Sequence, residues 1–251
     1  MARRKIVFRG KTKSLYEGDT LGTYVLHFRD DMFPAHSQGP SVIEGKGVLN
    51  NRFSEFVMSG LKRVGIPTHF VRRLNMREQS VRAAEILPVT VMVRNHAAGT
   101  LAKRFNLKEG DPLPRPLVEF YLKHQDLNHP LVTEEHLNAF GWVSPMEIDE
   151  ILPIALRTND YVSGMMAGAG IKLVDFVLEI GRVWEEDTCR LVIVDEISPD
   201  VCRLWDMQTG RVLSSYDTIP DSAGIPDGFQ EIASRLGILP EGGLRLLKPV
   251  R

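Results

Sequence analysis

The sequence predicts an α+β fold, with an antiparallel sheet-rich N-terminal lobe on a larger mixed C-terminal lobe and a central cleft between them. Three observations carry that expectation. Strand-like patterns dominate the first 95 residues, and mixed strand and helix patterns follow. A chain of 251 residues has room for one large domain or two packed lobes. There is no internal repeat and no low-complexity tract. The division falls between residues 1–95 and 96–251. Clefts between lobes are common ligand sites.

Residues 5–8 form a short, mostly apolar strand. Residues 12–16 follow a glycine, and residues 23–28 are rich in β-branched and aromatic side chains; both read as strands. Residues 30–45 hold two prolines and two glycines without periodicity, which predicts a loop. From 47 to 64, Val48, Leu49, Phe53, Phe56, Val57 and Leu61 fall at helical spacing, closed by Gly65 and Pro67. Residues 68–74 and 80–95 return to strand, with Pro88 as a break. A short helix over 97–105, a loop over 110–116 and a strand over 117–122 come next. Residues 133–140 and 145–166 are helices. Residues 171–180 and 191–197 are strands joined by an acidic connection, and 229–236 is the last helix.

The chain carries 31 basic and 32 acidic side chains, a formal charge of −1. That balance excludes a polycation that binds nucleic acid through bulk charge. At 43% hydrophobic and 25% charged it has the composition of a soluble globular protein. No run of about 18 apolar residues is available to span a membrane, and the apolar stretch after Met-Ala-Arg-Arg-Lys is too brief for a signal peptide. Cys189 and Cys202 are too few for a disulfide framework or a thiolate zinc site, and neither has the setting of a nucleophile. The seven histidines show no zinc spacing; most are expected at the surface or in loops. A reduced, cytoplasmic location is expected.

Four segments can carry chemistry. Gly10-Lys-Thr12 resembles the end of a P-loop, but the earlier glycine and the following helix are missing. What remains is Lys11 and Lys13, two apart on one strand face, either solvated or clamping a phosphate. On residues 171–180, Val174, Phe176, Leu178 and Ile180 share one face, and Asp175, Val177 and Glu179 share the other. A hairpin turning near Asp187 sets Glu179 roughly opposite Asp195. Those carboxylates form either a solvent face or a pair that needs a hard cation such as Mg²⁺. Arg94 and Thr100 flank a strand-to-helix junction, as a phosphate pocket or as an ion pair with a local cap. Residues 198–206, a non-periodic loop at a strand end, gather Asp200, Arg203 and Trp205.

Taken together, these blocks resemble the SAICAR synthetase family. The resemblance rests on Gly10-Lys-Thr-Lys13, Ile43-Glu-Gly-Lys-Gly-Val-Leu-Asn-Asn-Arg52, Gly65-Ile-Pro-Thr-His69 and Val93-Arg-Asn-His-Ala-Ala-Gly-Thr-Leu-Ala-Lys-Arg104. It continues through Leu117-Val-Glu-Phe120, Val174-Asp-Phe-Val-Leu-Glu179 and Asp195-Glu-Ile-Ser-Pro-Asp-Val-Cys-Arg-Leu-Trp-Asp206, covering about residues 5–210. The resemblance implies a two-lobed fold related to ATP-grasp and kinase-like enzymes, with a nucleotide-binding N-terminal lobe and a substrate- and metal-binding C-terminal lobe. It implies an ATP- and Mg²⁺-dependent ligase of purine biosynthesis that joins L-aspartate to carboxyaminoimidazole ribotide (CAIR) through an acyl phosphate. It also implies a homodimer. Carried over residue by residue, Lys11 and Lys13 contact nucleotide phosphates, and Glu179 and Asp195 hold Mg²⁺ beside the nucleotide. Arg94, Thr100 and Arg203 grip the ribotide phosphate. Lys13, Asp175 and Asp200 are the catalytic candidates, the two acids orienting the imidazole or the incoming amine.

Three departures from the family pattern stand out. Val177 occupies the place of a lysine, which predicts a missing cation between Asp175 and Glu179; one positioned charge is worth on the order of 10²–10³ in rate. Residues 32–38 lack the family's Ala-rich, Asn-Gly-containing stretch, and residues 211–218 replace an Arg-rich segment. These departures also admit a divergent paralogue, acting on another carboxylate or binding nucleotide without catalysis.

Overall fold

Strand pairing begins at the N-terminus of a computed structural model that describes residues 4–32, 41–214 and 225–239. Strands β1 (Ile6–Arg9), β2 (Lys13–Glu17) and β3 (Thr23–Phe28) form an antiparallel meander. After the small β4–β5 pair (Asp31–Met32 with Ser41–Val42) and helix α1 (Lys46–Arg63), β6 (Phe70–Arg73) and β7 (Glu78–Arg82) complete a five-stranded sheet. Its order is β1-β2-β3-β7-β6. A small core of Leu26, Phe28 and Val81 packs against one face. The divergent stretches over residues 33–38 and 215–218 lie outside the described residues.

The second sheet is also antiparallel. It contains β8 (Glu85–His96), β9 (Pro112–Leu122), β10 (Leu131–Val132), β11 (Ile171–Glu185), β12 (Thr188–Val194) and β13 (Cys202–Asp206). Strand β11 is its axis. β8 pairs along one side, and β12 and β13 share the other. The expected strand over 80–95 is broken at residues 83–84, so β7 and β8 belong to different sheets. Pro88 lies inside β8, where the register with β11 shifts and no ladder N–H is demanded of it. The expected loop over 110–116 is strand from Pro112 onward: Pro112, Pro114 and Pro116 fall at alternate positions of β9, beyond the two residues that β10 covers. The expected loop over 198–206 ends in β13, because Cys202 and Leu204 have a buried slot beside β11.

Helix α4 (Pro145–Gly168) packs on the second sheet, and α1 lies against β3, β6 and β7 of the first sheet and against α4. Leu49, Phe53, Val57 and Leu61, at i, i+4 spacing, bury one stripe of α1 in the main core. Helix α4 opens on a capping box, Ser144 with Glu147, and has proline at its first position. Two short helices, α2 (Gly99–Phe105) and α3 (Glu134–Ala139), and α5 (Ile225–Arg235) complete the described elements. No described helix is long and apolar enough to cross a membrane.

Candidate active site

A cavity of about 510 Å³ opens between the two sheets, lined from β2 and β3 on one side and from β8, β11 and β12 on the other. Its cations start in the turn before β2. Gly10 N–H donates to the Lys13 carbonyl across 2.9 Å. The Arg29 guanidinium donates to the carbonyls of Gly10 (2.7 Å), Lys11 and Lys13 (3.0 Å), bracing the whole turn. Strand β2 begins only at Lys13. Lys11 therefore sits in the turn, not on the same strand face as Lys13, although both line the cavity.

Lys13 crosses to the second sheet. Its Nζ donates to Asp195 Oδ2 and to Glu196 Oε1, each at 2.6 Å. Burial opposes its charge, yet the two carboxylates hold its pKa above the ordinary lysine value. Burial also raises the pKa of both acids against the pull of Lys13, with Glu179 adding to the rise at Asp195 and Asp200 to that at Glu196. With both acids ionised, one ammonium between two carboxylates leaves a net charge of −1. Among the described residues, Glu196 Oε2 is buried and has no hydrogen-bond partner.

Glu179 pairs in register with Val194, and the hairpin turns at Glu186 and Asp187. Asp195 thus lies one residue past the expected cross-strand position, in a left-handed turn with φ 61°. Lys123, just beyond β9, donates to Glu179 Oε2 at 2.6 Å. His69 Nε2 lies 2.9 Å from the Asp195 carbonyl, and burial lowers this histidine's pKa to about 4. His69 is therefore buried, although it lies in the irregular segment before β6.

A second cluster follows from register alone. Asp175 stands opposite Arg94 of β8 on one side and Arg203 of β13 on the other. Its Oδ2 accepts from Arg94 Nη1 at 2.8 Å and from Arg203 Nη1 at 2.7 Å. Arg94 also donates through Nε to Glu119 (2.6 Å) and through Nη2 to the hydroxyls of Thr100 (3.3 Å) and Tyr121 (3.1 Å). Burial works against Arg94, but Glu119 and its other partners raise its pKa. Gly99, at φ 55°, lets the backbone pass Arg203: a Cβ there would lie 2.9 Å from Nη2. The N–H of Gly99 is taken by Glu109 at 3.2 Å. Asp200 accepts from Lys46 and, at 2.7 Å, from Asn50, which sit one helical turn apart on α1.

The shortage of cations expected at Val177 does not arise. Arg94 and Arg203 serve Asp175, and Lys123 serves Glu179. The structure thus gathers Lys11, Lys13, Glu179 and Asp195 in one cavity, and Arg94, Thr100, Asp175 and Arg203 in a cluster farther along β11. Asp175 and Glu179 are four residues apart, roughly 13 Å along the strand. Sequence reasoning missed Lys46, His69, Glu119, Lys123 and Glu196. Lys46 and Asn50 had a usable signal in their i, i+4 spacing; Lys123 had none. A separate hollow of about 590 Å³, lined in part by Arg52, Phe56, Lys62 and Phe70, gathers none of these groups.

These features define the class: an α+β protein of antiparallel sheets whose inter-sheet cavity sets cations beside a net-negative cluster. The sequence profile described as SAICAR synthetase matches residues 6–218, and the chain belongs to the SAICAR synthetase family. It is 54% identical over 249 residues to the phosphoribosylaminoimidazole-succinocarboxamide synthase of Jannaschia sp. (strain CCS1), covering 99% of this chain and 98% of that one. It is 57% identical over 241 residues to the enzyme of the same name from Ruegeria pomeroyi, covering 96% of each. The crystal structure of the Ehrlichia chaffeensis synthase is similar with a TM-score of 0.90 at 36% identity, covering 94% of this chain and 100% of that chain. A SAICAR synthetase solved in complex with ADP is similar with a TM-score of 0.86 at 34% identity, covering 92% of this chain and 97% of that chain.

Proposed function

We propose that the protein is an ATP-dependent ligase that condenses CAIR with L-aspartate to give SAICAR, ADP and phosphate in de novo purine biosynthesis. The observation that carries this reading is the single cavity lined by Lys11, Lys13, Lys123, Glu179 and Asp195. The similarity to an ADP-bound SAICAR synthetase supports placing the nucleotide there.

The residues present fit a divalent cation. With both acids ionised the Lys13–Asp195–Glu196 cluster has one negative charge in excess, and among the described residues Glu196 Oε2 is a buried acceptor without a donor. No set of three or more His, Cys, Asp or Glu ligands occurs among the described residues. Mg²⁺ takes one or two carboxylates and completes its shell with phosphates and water. Glu179 and Asp195 would hold it, and it would neutralise charge on the phosphates.

Lys11 and Lys13 bind and orient the nucleotide phosphates, while Leu15, Tyr24, Leu26 and Ile86 offer an apolar wall to the base. Arg94, Thr100 and Arg203 grip the ribotide phosphate. Arg94 Nη2 rests on two neutral hydroxyls, and those are the contacts a phosphate can displace. A CAIR carboxylate oxygen takes the γ-phosphoryl group, giving an acyl phosphate and ADP. The aspartate amine then attacks the acyl carbon. The C–N bond forms, the C–O bond to phosphate breaks, phosphate departs with the bonding pair, and the nitrogen loses a proton. Asp175 and Asp200 orient the imidazole and the amine. Such chemistry needs mainly positioning and charge neutralisation.

We assign the nucleotide to a first lobe and the substrates and metal to a second, as in kinase-like two-lobed enzymes. Sheet pairing favours a boundary near residue 83 over one at 95. A homodimer is part of the same proposal. Val177, half-buried on the face of Asp175 and Glu179, motivates a second reading: a divergent paralogue acting on another carboxylate, or binding nucleotide only. Measuring ADP release with CAIR and aspartate supplied together and separately tests these readings. Release that needs both supports the ligase. Release with a different carboxylate, or nucleotide binding without turnover, favours the second reading.

A further inference from the structure

His69 sits where the segment before β6 meets the end of β12. Ile193 N–H donates to the Pro67 carbonyl at 3.0 Å, and His69 N–H donates back to the Ile193 carbonyl at 2.8 Å. Thr68 and Ile193 thus form a parallel bridge, in contrast to the antiparallel ladders of the two sheets. This bridge sets the His69 ring under the next turn, with Nε2 at 2.9 Å from the Asp195 carbonyl. A carbonyl only accepts, so Nε2 carries the proton. The ring is held in place: His69 is 6% exposed, and its own carbonyl accepts from Arg82 N–H at 2.8 Å.

Asp195 has φ 61°, a left-handed conformation that aspartate enters more readily than most residues but that is held in one state only where its neighbours fix it. Lys13 holds its carboxylate end. Among the described residues, the donor to its carbonyl is His69. A residue relaxing from the left-handed to the extended region redirects its side chain, which would carry this carboxylate away from Glu179.

We propose that His69 is a positioning residue: its Nε2–H holds the Asp195 carbonyl and so keeps the left-handed turn that presents the Asp195 carboxylate beside Glu179. The inference rests on the reading that Asp195 serves a nucleotide-bound metal. Groups that orient metal ligands from behind are typically worth about 10–100-fold in metal affinity.

The test is calorimetric titration of ADP, with Mg²⁺ and with EDTA, into the wild type and the H69L, H69Q and D195N variants. The wild type is expected to bind ADP more tightly with Mg²⁺, and D195N to lose that enhancement. H69L is expected to lose about 10–100-fold of it, read as the ratio of ADP affinities with Mg²⁺ and with EDTA, so that any effect of this cavity-lining position on ADP itself cancels. The glutamine side chain of H69Q carries an amide N–H that can serve the same carbonyl, so this variant is expected to recover most of the loss. If D195N loses the enhancement and H69L keeps it, or if H69Q is no better than H69L, the role of His69 is overturned alone. If D195N keeps the enhancement, the metal reading falls, and the role of His69 falls with it. Nitrogen-15 shifts of the wild-type His69 ring give a check that needs no variant. The Nε2–H tautomer is expected, and the Nδ1–H tautomer would overturn the proposal.

Discussion

At the scale of single residues, Lys13 carries most of the site's electrostatics. It is the cation that joins the first sheet to the acids of the second, at 2.6 Å from both Asp195 and Glu196. Lys13→Met removes that charge and leaves the buried Glu196 carboxylate facing the partly buried one of Asp195. Its turnover is expected to fall on the order of 10²–10³ in an ADP-release assay. Arg94→Lys keeps a charge but loses the planar fork that reaches Asp175, Glu119 and Thr100 at once. It is expected to raise KM for the ribotide about tenfold or more and leave KM for ATP nearly unchanged; equal effects on both would mark Arg94 as structural. Asp175, Glu179 and Asp195 were legible in the sequence because strand alternation exposes a charge out of place among apolar neighbours, and Lys13 because it follows Lys11 by two residues after Gly10. Glu196 was not, and for Lys46 the spacing to Asn50 gives the helix face but not the partner. Their burial depends on contacts 183 and 154 residues away, which local patterning does not encode.

At the scale of elements, β11 organises the site. Its apolar face, Val174, Phe176, Leu178 and Ile180, is fully buried, and its polar face carries Asp175 and Glu179 into the two charged clusters. Phe176→Ala is expected to cost about 3–5 kcal/mol, read by denaturant unfolding, and to displace both acids. Helix α4 is fixed at its start. Glu147 bonds first to Arg182 of β11, then to Ser144, and these partners hold its pKa down near 2 against an ordinary value of 4.5. A carboxylate with a depressed folded pKa adds stability above its unfolded pKa and loses it as pH falls. The contribution should therefore disappear between pH 4.5 and about 2. Glu147→Gln is expected to be less stable than wild type at pH 7 and to converge with it at the acid end; a constant difference across that window would contradict the assignment. The helices and most strands were legible from their periods of 3.6 and 2. Strand β9 was hidden by its three prolines, because the open edge that tolerates them exists only once β10 stops short. Strand β13 was hidden because five residues with Arg203 and Asp206 among them show no alternation.

At the scale of the whole molecule, function depends on two sheets that share few contacts except across the cavity. Lys13 reaches Asp195 and Glu196 there, and Arg82 of β7 reaches Glu185 of β11. A ligand that fills this space ties the sheets together. Mg²⁺ and ADP at about 100 times the dissociation constant are expected to add about 2.7 kcal/mol of stability and to slow hydrogen exchange in β2 and in the Asp195 turn together. Protection confined to one sheet would contradict a shared site. That the cavity lies between sheets was legible only as an architecture, since no sequence pattern states which strand faces which. Val177 marks the same limit: its neighbours Asp175 and Glu179 lacked a cation in sequence but find three in space, from β8, β13 and Lys123. The most direct test of the ligase reading follows the oxygen that the acyl phosphate must transfer. CAIR labelled with oxygen-18 in its carboxylate, turned over with ATP and aspartate, is expected to deliver one labelled oxygen into each phosphate released. Phosphate that forms without label, or without need of aspartate, would contradict it.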